Sequence, residues 1–244
     1  MDRVSIDSGR IFAELKELPT ITDAEPSLTG TAVTRVVFAP RDLEARAWLR
    51  RLAEEAGFSV RVDPVGNTFV RLEGAEPALA AVAIGSHIDA IPHAGMYDGT
   101  VGVLGGLEAL RSIQCSDLKP RRLIELILFT SEEPTRFGVG CLGSRMLSGT
   151  LTPVDAAALK DPDGASLEEV RTAAGFSGLP MHITPLLSFT LSRVHCSNAP
   201  TSRSALSLRS PLLRVTASRS RAWGPTRARS SCPTVATPFA PQPS

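Results

Sequence analysis

An α/β fold with a partly parallel mixed sheet flanked by helices is predicted by three observations. Ala80–Ile84 and Leu123–Phe129 are short, almost continuously apolar runs, as strands buried on both faces require. Between them Val101–Ile113 reads as a helix, with a small-residue face of Gly102, Gly105, Gly106 and Ala109 suited to close packing on a sheet. Strand, helix, strand in that order makes a crossover unit, which pairs its two strands in parallel.

The preceding residues supply the flanking elements. From Ile11 to Ala56 the pattern is mostly helical. Ile11, Phe12, Leu15 and Leu18 repeat at three and four, and Pro19 ends that segment. A second helix is expected from about Asp42, through Trp48, Leu49 and Leu52, to a stop at Gly57. Phe58, Val60 and Val62 alternate as a strand does, Pro64-Val65-Gly66-Asn67 reads as a turn, and Thr68–Leu72 returns as a strand. After Pro134 short helices are expected near Cys141–Leu147 and from Ser166, where Ser166-Leu167-Glu168-Glu169 is a capping box and Gly175 a stop.

Charge divides the chain unevenly. The 244 residues carry a net charge of only +1. Residues 1–177 hold 18 Lys and Arg against 25 acids, a balance of −7, whereas residues 178–244 hold eight Arg and no Lys, Asp or Glu, a balance of +8. The same stretch has 12 Ser and nine Pro, and its apolar periodicity fails. Two regions follow: a folded part over 1–177 and a Ser/Arg/Pro-rich tail over 178–244, expected to be disordered. No apolar run reaches roughly 18 residues, so a transmembrane span is not expected. The N-terminus lacks the charged-then-apolar layout of a signal peptide, which points to the cytoplasm for this chain. Cysteines at 115, 141, 196 and 232 are too sparse for a disulfide scaffold or a Cys-x-x-Cys zinc site. The tail arginines lack interleaved aromatics, so specific nucleic-acid binding is not expected.

The candidate chemistry lies past the ends of the two buried strands, where parallel sheets place their ligands. His87 follows the first and Glu132-Glu133 the second, with Asp89 and Asp98 nearby. One histidine and several carboxylates make a nitrogen-and-oxygen donor set for Zn²⁺ or Mn²⁺. Asp89 can accept the second ring proton of His87. Asp98, in Gly95-Met96-Tyr97-Asp98-Gly99, can bridge two ions, and of the adjacent glutamates one can bind metal while the other handles a water proton. Each cluster also has an ordinary reading: a His-x-Asp pair arises freely in loops, and an acidic pair after a strand is commonly a solvated helix start. Gly99-x-x-Gly102-x-x-Gly105-Gly106 has neither dinucleotide nor phosphate-loop spacing and is read as packing. His93 is read as a loop histidine, and Cys141, near Arg136, as a small buried residue rather than a reactive thiol.

Gly85-Ser86-His87-Ile88-Asp89-Ala90-Ile91-Pro92, Gly95-x-Tyr97-Asp98-Gly99 and Phe129-Thr130-Ser131-Glu132-Glu133-Pro134-Thr135-Arg136-Phe137-Gly138 together resemble the dinuclear-metal amidohydrolases, the group of allantoate amidohydrolase and N-carbamoyl-L-amino acid hydrolase. Ala-Ile-Pro after the histidine motif and Pro-Thr-Arg-Phe-Gly after the acidic pair look most like the ureidoglycolate-cleaving branch. The resemblance covers about residues 5–177 and implies a partial metallopeptidase-like catalytic domain. It implies two divalent ions, Mn²⁺ first and Zn²⁺ as the alternative, with His87 on one, Glu133 on the other and Asp98 bridging both. Glu132 would be the general base and Asp89 would support His87. A small ureide would be the substrate, and hydrolysis of its amide-like C–N bond the reaction.

This sequence departs from the family in its last quarter. A His-Ile-Glu-Gln-Gly-Pro segment, a late metal-binding histidine and the lid and dimerisation domain have no counterpart, since His182-Ile183 is followed by Thr184-Pro185 and His195 matches no motif. Met96 stands where lysine is common. The tail is therefore read as a shifted frame or retained intron joined near Ser177, tight binding of two metals is not expected, and the family's homodimer contacts fall in the missing region. Because plant relatives enter the endoplasmic reticulum through a leader, the resemblance implies that compartment if a leader precedes this sequence. The rival reading is a non-catalytic interaction module with a basic disordered tail.

Overall fold

The computed structural model describes residues 4–26 and 31–178, together with the backbone of 188–189. Its centre is a five-stranded mixed sheet. The strands are β2 (Ser59–Val62), β3 (Thr68–Leu72), β4 (Val82–Ser86), β6 (Ile124–Leu128) and β7 (Ser188–Phe189), in the order β2-β3-β6-β4-β7. β4 and β6 pair in parallel with Val82 opposite Ile124 and Ser86 opposite Leu128, and α3 (Thr100–Gln114) is the crossover between them. β3 runs antiparallel to both β2 and β6. A separate two-stranded sheet joins β1 (Ala32–Arg35) to β5 (Ala90–Gly95). The mixed, partly parallel sheet with flanking helices is the architecture expected from the sequence.

Two helices precede the sheet. α1 (Ser8–Glu17) starts where the Asp7 carboxylate accepts the Arg10 N–H, ahead of Ile11. α2 (Pro40–Glu55) begins two residues before Asp42, since proline suits the first helical turn. Asp42 is fully buried, accepting the Phe38 N–H at 2.8 Å and pairing with Arg46 at 2.8 Å. The helical reading of Ile11–Ala56 misses β1, a four-residue strand between the two helices. β5 was not expected either: it carries Pro92, which a central strand excludes, and it pairs only with β1.

Alternation along the strands divides the core. Val70, Leu126 and Leu128 face a cluster with Leu15 and Leu18, Trp48 and Leu49 of α2, and Val103, Leu104, Leu107 and Leu110 of α3. Phe69, Ala83, Ile127 and Phe129 form the opposite cluster with Leu147 of α4 (Leu142–Leu147). A third cluster joins Val37, Phe38 and Val65 to α4, α5 (Pro153–Ala157) and α6 (Leu167–Ala173). The Ser166 capping box forms, with reciprocal bonds to Glu169. The expected small face of α3 divides in two. A Cβ at Gly102 would lie 2.7 Å from Ser86 Oγ and one at Gly106 2.7 Å from Leu126 Cδ1, whereas one at Gly105 meets nothing within 4 Å.

α1 is tied to α3 by a buried carboxylate. Glu108 accepts from Arg10 Nε at 2.7 Å and from the Asp7 N–H at 2.9 Å. Of the stretch read as a tail, Ser188–Phe189 lies beside β4, in parallel register with Val82–Ala83. The remainder of that reading, including His182 and His195, lies outside the described residues.

Candidate metal centre

β4 ends at Ser86 and β6 at Leu128, so the parallel register delivers His87 and the 130–133 segment to the same edge of the sheet. The ladder extends one step further, with the Phe129 N–H donating to Ser86 O at 2.8 Å. There His87, Glu132 and Glu133 each place one ligand atom within 4.8 Å of the others. His87 Nε2 lies 3.8 Å from Glu132 Oε2. At that separation the Glu132 carboxylate faces the ring nitrogen that a metal would use. One imidazole nitrogen and two carboxylates suit a borderline or hard ion.

His87 is buried and its ring orientation is set by main chain. Nδ1 lies 3.0 Å from the Asp89 carbonyl oxygen, leaving Nε2 toward the glutamates. The Asp89 carboxylate, expected from the sequence to take that ring proton, is 3.6 Å away. It instead accepts the N–H groups of Glu132 at 3.2 Å and Glu133 at 3.0 Å. Burial pulls the His87 pKa down, but Asp89 and the charge of Glu132 outweigh it and push it up to about 9. Burial raises the Glu133 pKa, and Glu132, Asp89 and Asp98 add to that through like charge, opposed by His87.

Asp98 is exposed and outside the three-donor group. It is near enough for its charge to act on Glu133. Gly99, the next residue, explains the local path. At φ +66° it takes a conformation that side chains rarely adopt, and a Cβ there would lie 2.5 Å from His87 Nε2. His93 lies in β5, exposed, and its backbone N–H donates to Thr34 Oγ1. It stands outside the three-donor group. Cys141 caps α4 at φ +57°, and its thiol donates to Glu132 Oε1 at 3.5 Å, a contact that sequence spacing does not disclose.

Two buried supports also escape sequence reading. Arg35, fully buried in β1, donates from Nε to the carbonyl of Ile88, between His87 and Asp89, at 2.8 Å. Asn67, fully buried at the end of the turn before β3, accepts the Thr130 N–H at 2.9 Å. The Pro-Val-Gly-Asn turn signal marks Asn67 as a turn residue only, because its partner is 63 positions away.

A strand-end histidine and an acidic pair on a parallel crossover form a possible metal site, and residues 67–165 match the model of Peptidase family M28. The chain's relatives are hydrolases that include ureidoglycolate hydrolase and N-carbamoyl-L-amino-acid amidohydrolase, each matched over part of its length. The chain is 46% identical over 176 residues to the ureidoglycolate hydrolase of Arabidopsis thaliana, covering 71% of this chain and 36% of that protein. It is 38% identical over 166 residues to the N-carbamoyl-L-amino-acid amidohydrolase of Paenarthrobacter aurescens, covering 68% and 39%. The solved structure of AtUAH in complex with glyoxylate matches with a TM-score of 0.67 at 46% identity, over 72% of this chain and 41% of that one. The chain thus spans less than half the length of these relatives.

Proposed function

We propose that this chain carries metal-binding residues of a hydrolase that cleaves amide-like C–N bonds in ureides during purine catabolism, with ureidoglycolate the first substrate to test and allantoate the second. The convergence of His87, Glu132 and Glu133 within 4.8 Å carries this reading. The identity to a ureidoglycolate hydrolase, and the glyoxylate held by AtUAH, support the choice of substrate. The same relationships favour a hydrolase over an interaction module.

His87, Glu133 and Asp98 would hold two divalent ions, Mn²⁺ first and Zn²⁺ as the alternative, with His87 offering Nε2. Ions held there lower the pKa of a water and polarise the scissile carbonyl. Glu132 would be the general base, taking a proton from a water and passing it to the leaving nitrogen. The Asp89 carboxylate fixes the main chain of both glutamates, so neither carboxylate swings out of reach. From ureidoglycolate the products would be ammonia, carbon dioxide and glyoxylate.

Metal uptake followed by ammonia release tests this reading. Mn²⁺ titrated into the full chain should bind weakly, and that binding should be lost in His87→Ala. Ureide turnover should be metal-dependent and fall by about a hundredfold or more in Glu132→Gln. Binding that survives His87→Ala, or turnover indifferent to Glu132→Gln, would overturn the assignment.

A further inference from the structure

We infer that Asn67 is a positioning residue for the acidic pair. Thr68 opposite Leu128 is the last paired position of β3 and β6. Two residues on, the Thr130 N–H has no strand to meet, and the side chain of Asn67, just before β3, takes the place of one. Its Oδ1 accepts that N–H at 2.9 Å, both residues being wholly buried. Asn67 is itself held on three sides. Its Nδ2 donates to Asp63 Oδ2 at 2.8 Å and to the Gly143 carbonyl at 3.2 Å, and its own N–H donates to Asp63 Oδ1 at 2.9 Å.

The opposite edge of the same segment is also fixed. The N–H groups of Cys141, Leu142 and Gly143 donate to the carbonyls of Glu132, Ser131 and Thr130 at 2.8, 2.9 and 2.8 Å. Between these anchors Ser131 sits at φ +51°, a left-handed conformation that a non-glycine residue keeps only where its surroundings impose it. Without the Asn67 bond, Thr130 keeps its bond at the carbonyl and loses the one at the amide. The turn at Ser131 can then relax and carry Glu132 and Glu133 away from His87. Asn67 touches none of the three donors and acts through Thr130.

The test compares the full wild-type chain with Asn67→Ala, Asn67→Asp and Leu110→Ala. The last trims the core about three turns along α3 from Gly99 and serves as a control for general destabilisation. In metal-free protein, hydrogen exchange of a peptide spanning residues 129–135 should be about tenfold faster or more in Asn67→Ala and unchanged in Leu110→Ala. Asn67→Asp keeps the acceptor and, sharing a proton with Asp63, should restore most of the protection. The second readout rests on the metal reading above. Mn²⁺ alone, titrated calorimetrically, should bind about tenfold to a hundredfold more weakly to Asn67→Ala, with Leu110→Ala at the wild-type value.

Equal exchange in wild type and Asn67→Ala, or equal acceleration in Leu110→Ala, overturns the proposal. A wild-type chain that binds no Mn²⁺ refutes the metal reading, while the exchange data still decide the role of Asn67. If Asn67→Ala does not fold, Gly143→Ala places a Cβ 2.2 Å from Asn67 Oδ1 and 2.7 Å from the Thr130 N and O, and so pushes the two apart from the other side. Unchanged exchange over 129–135 in that variant would overturn the proposal equally.

Discussion

The two oxygens of the Asp89 carboxylate accept the main-chain N–H groups of Glu132 and Glu133, at 3.2 and 3.0 Å. A residue that follows one strand end thus fixes the backbone at the other, and the histidine motif and the acidic pair are one structural unit. In Asp89→Ala two part-buried amides lose their acceptors, at about 1 kcal/mol each. Chemical denaturation should show that loss, and Mn²⁺ affinity should fall about tenfold to a hundredfold. A variant with unchanged affinity would show that the acidic pair holds its position without this carboxylate.

Metal uptake should displace a proton. With its pKa near 9, metal-free His87 is protonated at neutral pH, and Nε2 binds an ion only once deprotonated. Apparent Mn²⁺ affinity should therefore rise about tenfold per pH unit from pH 6 and level off near 9. A flat profile over that range would contradict the assignment of Nε2 as a ligand.

The same group sets a stability dependence in the absence of metal. His87 is raised from 6.5 to about 9, so its contribution is full below pH 6.5 and is lost as pH rises through 9. The loss should amount to a few kcal/mol, read as a fall in urea midpoint between pH 6 and 9.5. His87→Gln should flatten that part of the profile.

Neighbouring glycines of α3 should respond with opposite signs. Gly105→Ala meets nothing within 4 Å and should stabilise by about 0.4–1 kcal/mol by restricting the unfolded chain. Gly106→Ala would drive a Cβ to 2.7 Å from the buried Leu126 side chain and should destabilise by about 1–3 kcal/mol. Thermal melts of the two variants check both signs.

The removal of Glu108 should free the N-terminal helix. Its carboxylate is fully buried and holds Arg10 and the Asp7 N–H. Glu108→Ala removes a buried acceptor from partly exposed donors and should cost about 1–3 kcal/mol, with faster proteolysis before Ile11. Equal proteolysis rates would show that apolar packing alone retains α1.

What was legible in the sequence is what local pattern encodes. Leu123–Phe129 and Ala80–Ile84 are apolar enough to declare buried strands, and the helix between them fixes their parallel pairing, so His87 and Glu132-Glu133 could be placed at one edge before any coordinates. β1 and β5 were illegible because neither has a pattern of its own: Ala32–Arg35 is four residues long with a buried arginine, and Ala90–Gly95 contains a proline. The supports of the site were hidden for a different reason. Asn67 reaches Thr130, and Arg35 reaches Ile88, 53 positions on, through side-chain to main-chain bonds that leave no periodic trace. The sequence joined Asp89 to its neighbour His87, while its carboxylate serves residues 43 and 44 positions away.

The register of Ser86 opposite Leu128 has a kinetic consequence. Neither strand carries a complete donor set, and the two are joined through β5 and α3, so closing that long connection comes before any ion can be captured. A slip of one residue would turn every side chain of β4 to the other face and carry the donors apart. A divalent ion added to a refolding chain thus times the closure of the parallel ladder: capture cannot run ahead of it, and an ion bound earlier would have to be held elsewhere.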